Sequence, residues 1–433
     1  MIRALIIVLT LFTCFARYSN AFEFTSTAAI DEQANRSLTY LLRNLKSTEV
    51  KPGAIMASPS KTHPNYFYHW VRDAALTMRV PLLGYQYANS QPDKNYYEET
   101  LWNWVTFESA LQDVRNPSGG LGEPKFMLDG TVYREPWGRP QNDGPALRAI
   151  TMIGFAQELL KEGKNQVVSD RLYRSDFPAN TPIKRDLEYT ARNWTARSFD
   201  LWEEIYGYHF YTLMTQRGAL LEGAKLARQL NDPFAANFYE REAGNIEAVL
   251  VQHFLDEQMQ LLIPSISIKG GNKGKTSNLD VAVILAALHT DTSDGFVDPS
   301  NSALLANSAQ KLMERFQQIY PINHINQRKE VPPISPAIGR YPEDIYNGTG
   351  FVQGGPWFLA THAFAELNCL AGKKADAIQF FNRTLRHKNV AGEMSEQYSR
   401  HNGYMQGARD LTWSYASFLT AYERCFGKFP NRQ

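Results

Sequence analysis

The stretch Asp31–Lys46 reads D-E-Q-A-N-R-S-L-T-Y-L-L-R-N-L-K. Its apolar residues recur at the three- and four-residue spacing that places them on one face of an α-helix: Ala34, Leu38, Leu41, Leu42 and Leu45. A helix with one apolar face has to bury that face against another element of the fold. The stretch therefore predicts an amphipathic helix near the start of the folded chain.

Helical signatures recur along the rest of the chain. Asp232-Pro233 predicts an N-cap and a first-turn proline, opening a helix that runs through Phe254. Further helices are predicted at Tyr97–Val114, Gly144–Lys161, Phe210–Leu230, Asn278–His289, Ser302–Tyr320, Trp357–Gly372, Ala375–Arg386 and Arg409–Cys425. Alternating strand patterns are scarce, and Gly- and Pro-rich loops separate the helices.

Roughly a dozen helices without a compositional break predict one large all-α domain. No residue-level repeat stands out, whereas a helical solenoid would show a fixed period. A closed toroid of paired helices is therefore the favoured architecture, with function carried by the loops.

Composition excludes several classes of partner. The 433 residues carry 45 basic and 44 acidic side chains, a formal net charge of +1. Such a balance lacks the one-sided basic field that nucleic acids or anionic membranes attract. The nine histidines show no H-E-x-x-H or similar spacing, so we expect no catalytic metal and no cofactor.

The N-terminus has the features of a secretory signal peptide. Arg3 supplies a positive charge, Ala4–Ala16 is an almost unbroken apolar run, and Ser19–Ala21 offers small residues for cleavage. The apolar run is shorter than the roughly 20 residues that span a bilayer. Residues 1–21 are therefore predicted to be removed, leaving an exported chain from Phe22 that is extracellular or held in the secretory pathway or vacuole.

Cysteines and sequons fit an exported protein. Cys369 and Cys425 could pair in an oxidising compartment, and two buried free thiols are the alternative. Asn-x-Ser/Thr triplets, which mark a glycoprotein in that compartment, occur at Asn35, Asn193, Asn347 and Asn382.

Several predicted loops place charges beside aromatic residues: Y-F-Y-H-W-V-R-D at Tyr66–Asp73, D-L-W-E-E at Asp200–Glu204, G-R-Y-P-E-D at Gly339–Asp344 and E-M-S-E-Q-Y at Glu393–Tyr398. Aromatic faces pack on the apolar face of a sugar, while Arg, Asp and Glu bind its hydroxyls. Cleavage of a glycosidic bond needs two carboxyl groups, one on each side of it. The mixture is typical of a carbohydrate-cleaving site, whereas each feature alone is also typical of a core tryptophan, a solvated pair of glutamates or a structural Arg-Asp ion pair.

Together with four more segments, these loops resemble the fungal glucoamylases of glycoside hydrolase family 15, in the family's order from Tyr66 to Tyr415. The further segments are G-G-L-G-E-P-K-F at Gly119–Phe126, W-G-R-P-Q-N-D-G-P-A-L-R-A at Trp137–Ala149, P-W-F-L at Pro356–Leu359 and A-R-D-L-T-W-S-Y at Ala408–Tyr415. The resemblance implies an (α/α)6 barrel with a funnel-shaped site. It also implies inverting, exo-acting release of β-D-glucose from starch-like α-glucans.

The resemblance also implies residue roles. Glu203 matches the general acid and Glu396 the general base. Arg72 and Asp73 match the pair that holds the terminal glucose. The other matched substrate-binding positions are Tyr66, Trp70, Trp137, Arg139, Trp202, Glu204, Arg340, Tyr341, Trp357, Gln397 and Trp413.

Physical chemistry sets expectations for the two carboxyl groups. A general acid has to keep its proton, which burial and like charge favour, and Glu203 has Asp200, Trp202 and Glu204 beside it in sequence. The base has to stay ionised, so Glu396 is predicted in a more polar setting. Inverting enzymes keep the two groups about 6.5–9.5 Å apart to admit a water.

The sequence departs from familiar members at Gly407, where well-known fungal enzymes carry a serine near the base, and at Asn142, where they carry a basic residue. Residues 22–433 are predicted to form one catalytic domain without a separate starch-binding domain. We expect a monomer whose partner is an α-glucan, with no nucleic acid and no membrane after signal removal. Trehalose or dextran hydrolysis and a catalytically dead glucan sensor are the alternatives.

Overall fold

The computed structural model describes residues 27–269, 275–290, 292–324 and 333–432. The predicted signal peptide, residues 1–21, lies outside the described residues. The helices are α1 (27–45), α2 (Val71–Tyr87), α3 (Gln91–Leu111), α4 (Asp143–Lys161), α5 (Asn165–Arg171), α6 (Pro182–Asn193), α7 (Phe210–Gln229), α8 (Pro233–Phe254), α9 (Ala282–His289), α10 (Ala303–Ile319), α11 (Phe358–Leu370), α12 (Lys374–His387) and α13 (Thr412–Phe426).

Six of these helices form a closed inner ring. Helix α2 packs on α4, α4 on α7, α7 on α9, α9 on α11 and α11 on α13, and α13 returns to α2. The outer helices α3, α6, α8, α10 and α12 pack on α2, α4, α7, α9 and α11, respectively. Helix α1 completes the outer layer beside α13, where the Tyr422 hydroxyl donates to Asp31 Oδ1 over 2.6 Å. The predicted all-α (α/α)6 barrel is thereby confirmed.

The described strands are short and antiparallel. β1 (His69–Trp70) pairs with β2 (Lys125–Phe126), with His69 opposite Phe126. β3 (Ser198–Phe199), β4 (Tyr206–His209) and β7 (Ser265–Lys269) form a three-stranded sheet in the order β3-β4-β7. β5 (Leu255–Asp256) pairs with β6 (Leu261–Leu262), and β8 (Gln397–Tyr398) pairs with β9 (Met405–Gln406).

Local sequence explains most helix boundaries. Asp232 caps α8, its side chain accepting the N–H of Ala235, and the helix ends at Phe254 as predicted. Helix α13 begins at Thr412 rather than Arg409, because Asp410 has a φ of 57° and is left-handed. Helix α2 begins within a stretch that was expected to be a loop, so Arg72 lies in the first turn of an inner helix.

A buried ionic cluster joins helices α3, α4 and α6 to strand β1. Arg148 of α4 donates to Glu108 of α3 and Asp186 of α6, at 2.8 and 2.6 Å. The other oxygen of Glu108 lies 3.0 Å from His69 Nε2. Because each buried charge is paired, the cluster is tolerable in a dry interior. It ties β1, and therefore Trp70, to three helices.

Cys369 near the end of α11 and Cys425 near the end of α13 form a disulfide, with Cα atoms 5.1 Å apart. The structure therefore selects pairing over two free thiols. Of the helices in the described ranges, none is long and apolar enough to cross a membrane.

Candidate active site

One end of the ring holds a cavity of about 390 Å³. It lies where the inner helices begin: Arg72 and Asp73 are in the first turn of α2, Trp357 directly precedes α11, and Trp413 is in the first turn of α13. Loops that precede α4 and α7 complete the wall. Side chains from distant parts of the chain therefore converge at one end of a rigid scaffold.

All but three of the predicted site residues line this cavity. They are Tyr66, Trp70, Arg72, Asp73, Trp137, Trp202, Glu203, Glu204, Arg340, Trp357, Glu396 and Trp413. The two carboxyl groups proposed from sequence to be acid and base thus face the same space.

Glu203 enters the cavity from a tight turn. Its backbone N–H donates to the Asp200 carbonyl, and its φ of 67° is left-handed. A left-handed non-glycine residue costs about 1–2 kcal/mol. The Asp200 carboxylate compensates by accepting the N–H groups of Glu204 and Ile205 at 2.8 and 2.9 Å. The turn thereby holds the Glu203 side chain in a fixed direction.

Three donors converge on one oxygen of Glu203. Oε1 accepts from Trp70 Nε1 at 2.8 Å, Gln141 Nε2 at 3.0 Å and Arg72 Nη2 at 3.5 Å. Among the described residues no donor reaches Oε2, and 18% of the side chain is exposed. One oxygen is therefore anchored while the other is open to the cavity.

Glu396 has a different environment. It is 0% exposed, and its Oε2 lies 3.4 Å from the Tyr346 hydroxyl and 3.5 Å from the Ala408 nitrogen. Burial raises the pKa of Glu396 to about 7, against the opposing effects of a Tyr66 hydrogen bond and the Arg340 charge. The expectation of a more polar setting than that of Glu203 is not met, because the Glu396 side chain is fully buried.

Arg72 and Asp73 are adjacent at the cavity wall. Arg72 Nη1 donates to Gln141 Oε1 at 2.8 Å and to Asp143 Oδ2 at 3.1 Å, and its Nε lies 3.6 Å from Asp73 Oδ2. Burial raises the pKa of Asp73 to about 7, and the Arg72 charge opposes that rise. The arginine is thus held by several acceptors while the aspartate faces the cavity.

Glu204 and Arg340 form a second charged pair. Arg340 Nη2 donates to Glu204 Oε1 at 2.7 Å and to Asp344 Oδ1 at 2.7 Å. Burial raises the pKa of Glu204, and Arg340 opposes this effect. The guanidinium also lies 5.3 Å from the Trp202 ring and 5.2 Å from the Trp357 ring. Charge and aromatic surface are therefore combined in one wall.

Several buried polar atoms of the cavity-lining residues have no hydrogen-bond partner among the described residues. They are Arg72 Nε, Asp73 Oδ2, Trp137 Nε1, Trp357 Nε1 and Glu396 Oε1. Leaving a buried polar group unpaired costs about 1–3 kcal/mol. Three donors and two acceptors suit a ligand with hydroxyl groups, because a hydroxyl both donates and accepts.

Arg139, Tyr341 and Gln397, which sequence analysis also predicted to bind substrate, are not among the residues that line the described cavity. Arg139 Nε donates to Glu123 Oε1 at 3.0 Å, and its Nη1 donates to the Glu135 carbonyl at 2.9 Å, so its own loop occupies the guanidinium. The Tyr341 hydroxyl donates to Glu204 Oε2 at 2.6 Å from behind. Gln397 is buried in β8, where its Oε1 accepts the Gly355 N–H at 3.3 Å.

Sequence reasoning missed other residues of the site. Gln141 bridges Arg72 and Glu203, and it lies within the matched W-G-R-P-Q segment without an assigned role. Tyr346 contacts Glu396 and lies 3.0 Å, oxygen to oxygen, from Tyr66. Tyr346 follows the G-R-Y-P-E-D motif by two residues, and this proximity could have indicated that it belongs to the site.

Lys125 was missed as well, although it belongs to the matched G-G-L-G-E-P-K-F segment. Its ammonium lies 3.6 Å from the Trp137 ring centroid, 4.1 Å from Tyr68 and Tyr133, and 4.5 Å from Trp70. Burial lowers the pKa of this lysine to about 8. A caged cation therefore packs against the aromatic residues beside Glu203.

Gly407 lies directly against Glu396. Its φ is 74°, and a Cβ placed there would lie 2.3 Å from Glu396 Oε2. The absence of a side chain at this departure from the family pattern therefore gives the carboxylate its space.

Within the described ranges, no group of three or more His, Cys, Asp or Glu residues could hold a metal ion.

The chain resembles known proteins along most of its length. Residues 35–423 match the family "Glycosyl hydrolases family 15". A "Glucoamylase" of Blastobotrys adeninivorans is 34% identical, over 90% of this chain and 70% of the relative. A "Probable glucoamylase" of Schizosaccharomyces pombe is 35% identical, over 91% and 90%. A "Glucoamylase, intracellular sporulation-specific" of Saccharomyces cerevisiae is 30% identical, over 86% and 79%.

A solved structure agrees with the sequence comparison. The glucoamylase of Saccharomycopsis fibuligera superposes with a TM-score of 0.80 at 28% identity, covering 92% of this chain and 94% of that one.

Proposed function

This chain belongs to glycosyl hydrolase family 15 and is a glycoside hydrolase, and from that premise we propose that it is an exo-acting, inverting glucoamylase. Its substrates are the non-reducing ends of starch, glycogen or dextrins. It hydrolyses α-1,4 bonds, and α-1,6 bonds more slowly, and releases β-D-glucose.

One observation carries the proposal: Glu203 and Glu396 line the same cavity, at one end of a closed ring of helices. Hydrolysis with inversion needs one carboxyl group on each side of the scissile bond, about 6.5–9.5 Å apart. A cavity at the end of a barrel suits a chain end better than the middle of a polymer. That shape supports exo-action.

Glu203 is the proposed general acid. Its anchored Oε1 leaves Oε2 directed at the cavity, where it can deliver a proton to the glycosidic oxygen as the bond from C1 to that oxygen breaks. Glu396 is the proposed general base. Its unpartnered Oε1 takes a proton from water while the water oxygen bonds to C1 on the opposite face.

The charged pairs position the sugar units. We assign the terminal glucose to Arg72 and Asp73, because the open Asp73 carboxylate can accept hydrogen bonds from its hydroxyls. Glu204 and Arg340 serve the next unit, with Trp202 and Trp357 packing on apolar sugar faces. Tyr341 supports Glu204, and Arg139 and Gln397 support the surrounding loops.

We also propose export, directed by residues 1–21. The disulfide between Cys369 and Cys425 supports this, since disulfides persist in oxidising compartments. Asn382 is a poor glycosylation site because it is buried, and its amide donates to the Pro333 carbonyl. Detecting the mature protein and its N-terminal residue in culture medium tests this part of the proposal.

The decisive experiment follows the anomer released from maltotriose by proton NMR. Wild-type protein should release β-glucose first, and Glu396→Gln should nearly abolish release, while Glu257→Gln at an exposed loop should match wild type. Initial release of α-glucose would overturn the inverting mechanism. No release from maltotriose, with turnover of trehalose or dextran, would replace the substrate class.

A further inference from the structure

A large aromatic side chain stands exposed at the mouth of the cavity. Phe351 lines the cavity, yet it is 73% exposed. Neighbouring Val352 is exposed to the same degree. Exposed apolar side chains carry information when they form part of a concave site rather than a scattered surface. The residue belongs to none of the segments that identify the family, and the function proposed above gives it no role.

The loop that carries Phe351 is fixed. Asp344 Oδ1 accepts the Tyr346 N–H at 2.8 Å, and the Gly354 N–H donates to the Asp344 carbonyl at 2.7 Å. Tyr346 and Phe351 pair as an antiparallel bridge, closed by a tight turn between them. Because Asp344 is in turn bonded to Arg340, the hairpin is joined to the charged wall of the site. Phe351 is therefore presented to solvent by an ordered element.

Phe351 is also the outermost of four aromatic rings that contact one another in sequence from the cavity interior outward. Ring centroids are 5.8 Å apart for Trp202 and Trp357, 6.3 Å for Trp357 and Tyr346, and 5.8 Å for Tyr346 and Phe351. Trp202 and Trp357 are only 7% and 6% exposed. Exposure thus rises from the floor to the mouth along one wall.

We propose that Phe351 is a sugar-binding platform for a glucose unit of the substrate beyond those held by Arg72, Asp73, Glu204 and Arg340. The inference rests on the proposed function. An aromatic face packs on the apolar face of a pyranose. The hairpin already holds the backbone that carries this ring, so binding orders little more than one side chain. The platform makes the enzyme favour longer glucans over disaccharides.

The test compares substrates of different length. Phe351→Ala should lower kcat/KM for maltohexaose about three- to tenfold more than kcat/KM for maltose, mainly through KM. Phe351→Trp should keep the wild-type preference. Phe234→Ala removes an even more exposed phenylalanine from α8 and should leave the preference unchanged.

Binding measured without turnover separates this proposal from the function on which it rests. In a Glu203→Gln background, calorimetry should show that Phe351→Ala weakens maltohexaose binding more than maltose binding. An unchanged ratio of the two affinities would overturn the platform even if glucose release is normal. Equal losses for both sugars would also overturn it, since they indicate that Phe351 only supports the loop. A wild type that binds maltohexaose but releases no glucose would instead refute the proposed hydrolysis.

Discussion

Glu203 and Glu396 face one cavity but are held by opposite means. Glu203 projects from a left-handed turn, and its Oε1 is bonded by Trp70, Gln141 and Arg72. Glu396 is enclosed, and its Oε1 has no partner among the described residues. Hydrogen bonds thus dominate one environment and burial the other. Two carboxyl groups with such different surroundings are suited to different proton-transfer roles.

The comparison also shows that solvent exposure alone does not decide which carboxyl group acts as the base. The proposed base is the more deeply buried of the two, and burial raises its pKa to about 7. The Tyr66 hydrogen bond and the Arg340 charge oppose that rise, so specific partners rather than solvent favour the carboxylate form of Glu396.

The largest effects are expected from removing each carboxylate. Glu203→Gln and Glu396→Gln should each lower kcat on maltose by about 10²–10⁴-fold. With α-glucosyl fluoride, whose leaving group needs no proton, Glu203→Gln should recover far more of its activity than Glu396→Gln. Release of fluoride and of glucose measures this. Equal recovery in both variants would contradict the division of roles.

A smaller loss is expected from crowding the base alone. Gly407→Ala places a methyl group against Glu396 Oε2, so the carboxylate has to move. A displacement of about 1 Å can cost about 10²-fold in rate, and we expect a loss in kcat of that order with little change in KM. Gly372→Ala is the matched control, because Gly372 has a similar φ of 73° and no atom near its missing Cβ. Comparable losses in both variants would point to backbone strain instead.

The pH dependence of kcat/KM tests the buried environment directly. As the pH falls through the pKa of Glu396, the base takes up a proton, so activity should fall on the acid side. The Tyr346 hydrogen bond lowers that pKa. Tyr346→Phe should therefore move the acid limb to higher pH, by less than about one unit. Tyr68→Phe, whose hydroxyl contacts Asn65 instead, should leave the limb in place.

The smallest effect on activity is expected from removing the disulfide. Cys369 and Cys425 lie at the ends of α11 and α13 opposite the cavity. The double variant Cys369→Ala/Cys425→Ala should lower the free energy of unfolding by about 2–4 kcal/mol. Its kcat/KM should match wild type. Denaturant titration and maltose kinetics measure the two quantities, and a large loss of activity at full folding would contradict this separation.

Sequence predicted much of the scaffold and most of the cavity. Asp232-Pro233 marked the start of α8, because capping chemistry is local. The ordered motifs led to the barrel and to the two carboxyl groups. They could not reveal that Arg139 does not line the cavity, since side-chain direction in a loop depends on the folded backbone. The burial of Glu396 was equally hidden, because Tyr66 lies 330 residues before it in sequence.

Helix α1 makes contacts with parts of the chain that are synthesised last. Asp31 meets Tyr422, a residue 391 positions later in the chain. Gln33 donates to the Gly392 carbonyl, four residues before Glu396, across a separation of 359. At about 5–20 residues per second, the first helix waits roughly 20–80 s on the ribosome for its partners. The part of its apolar face that packs on the last helix stays uncovered during that interval, which exposes the nascent chain to aggregation until α13 emerges.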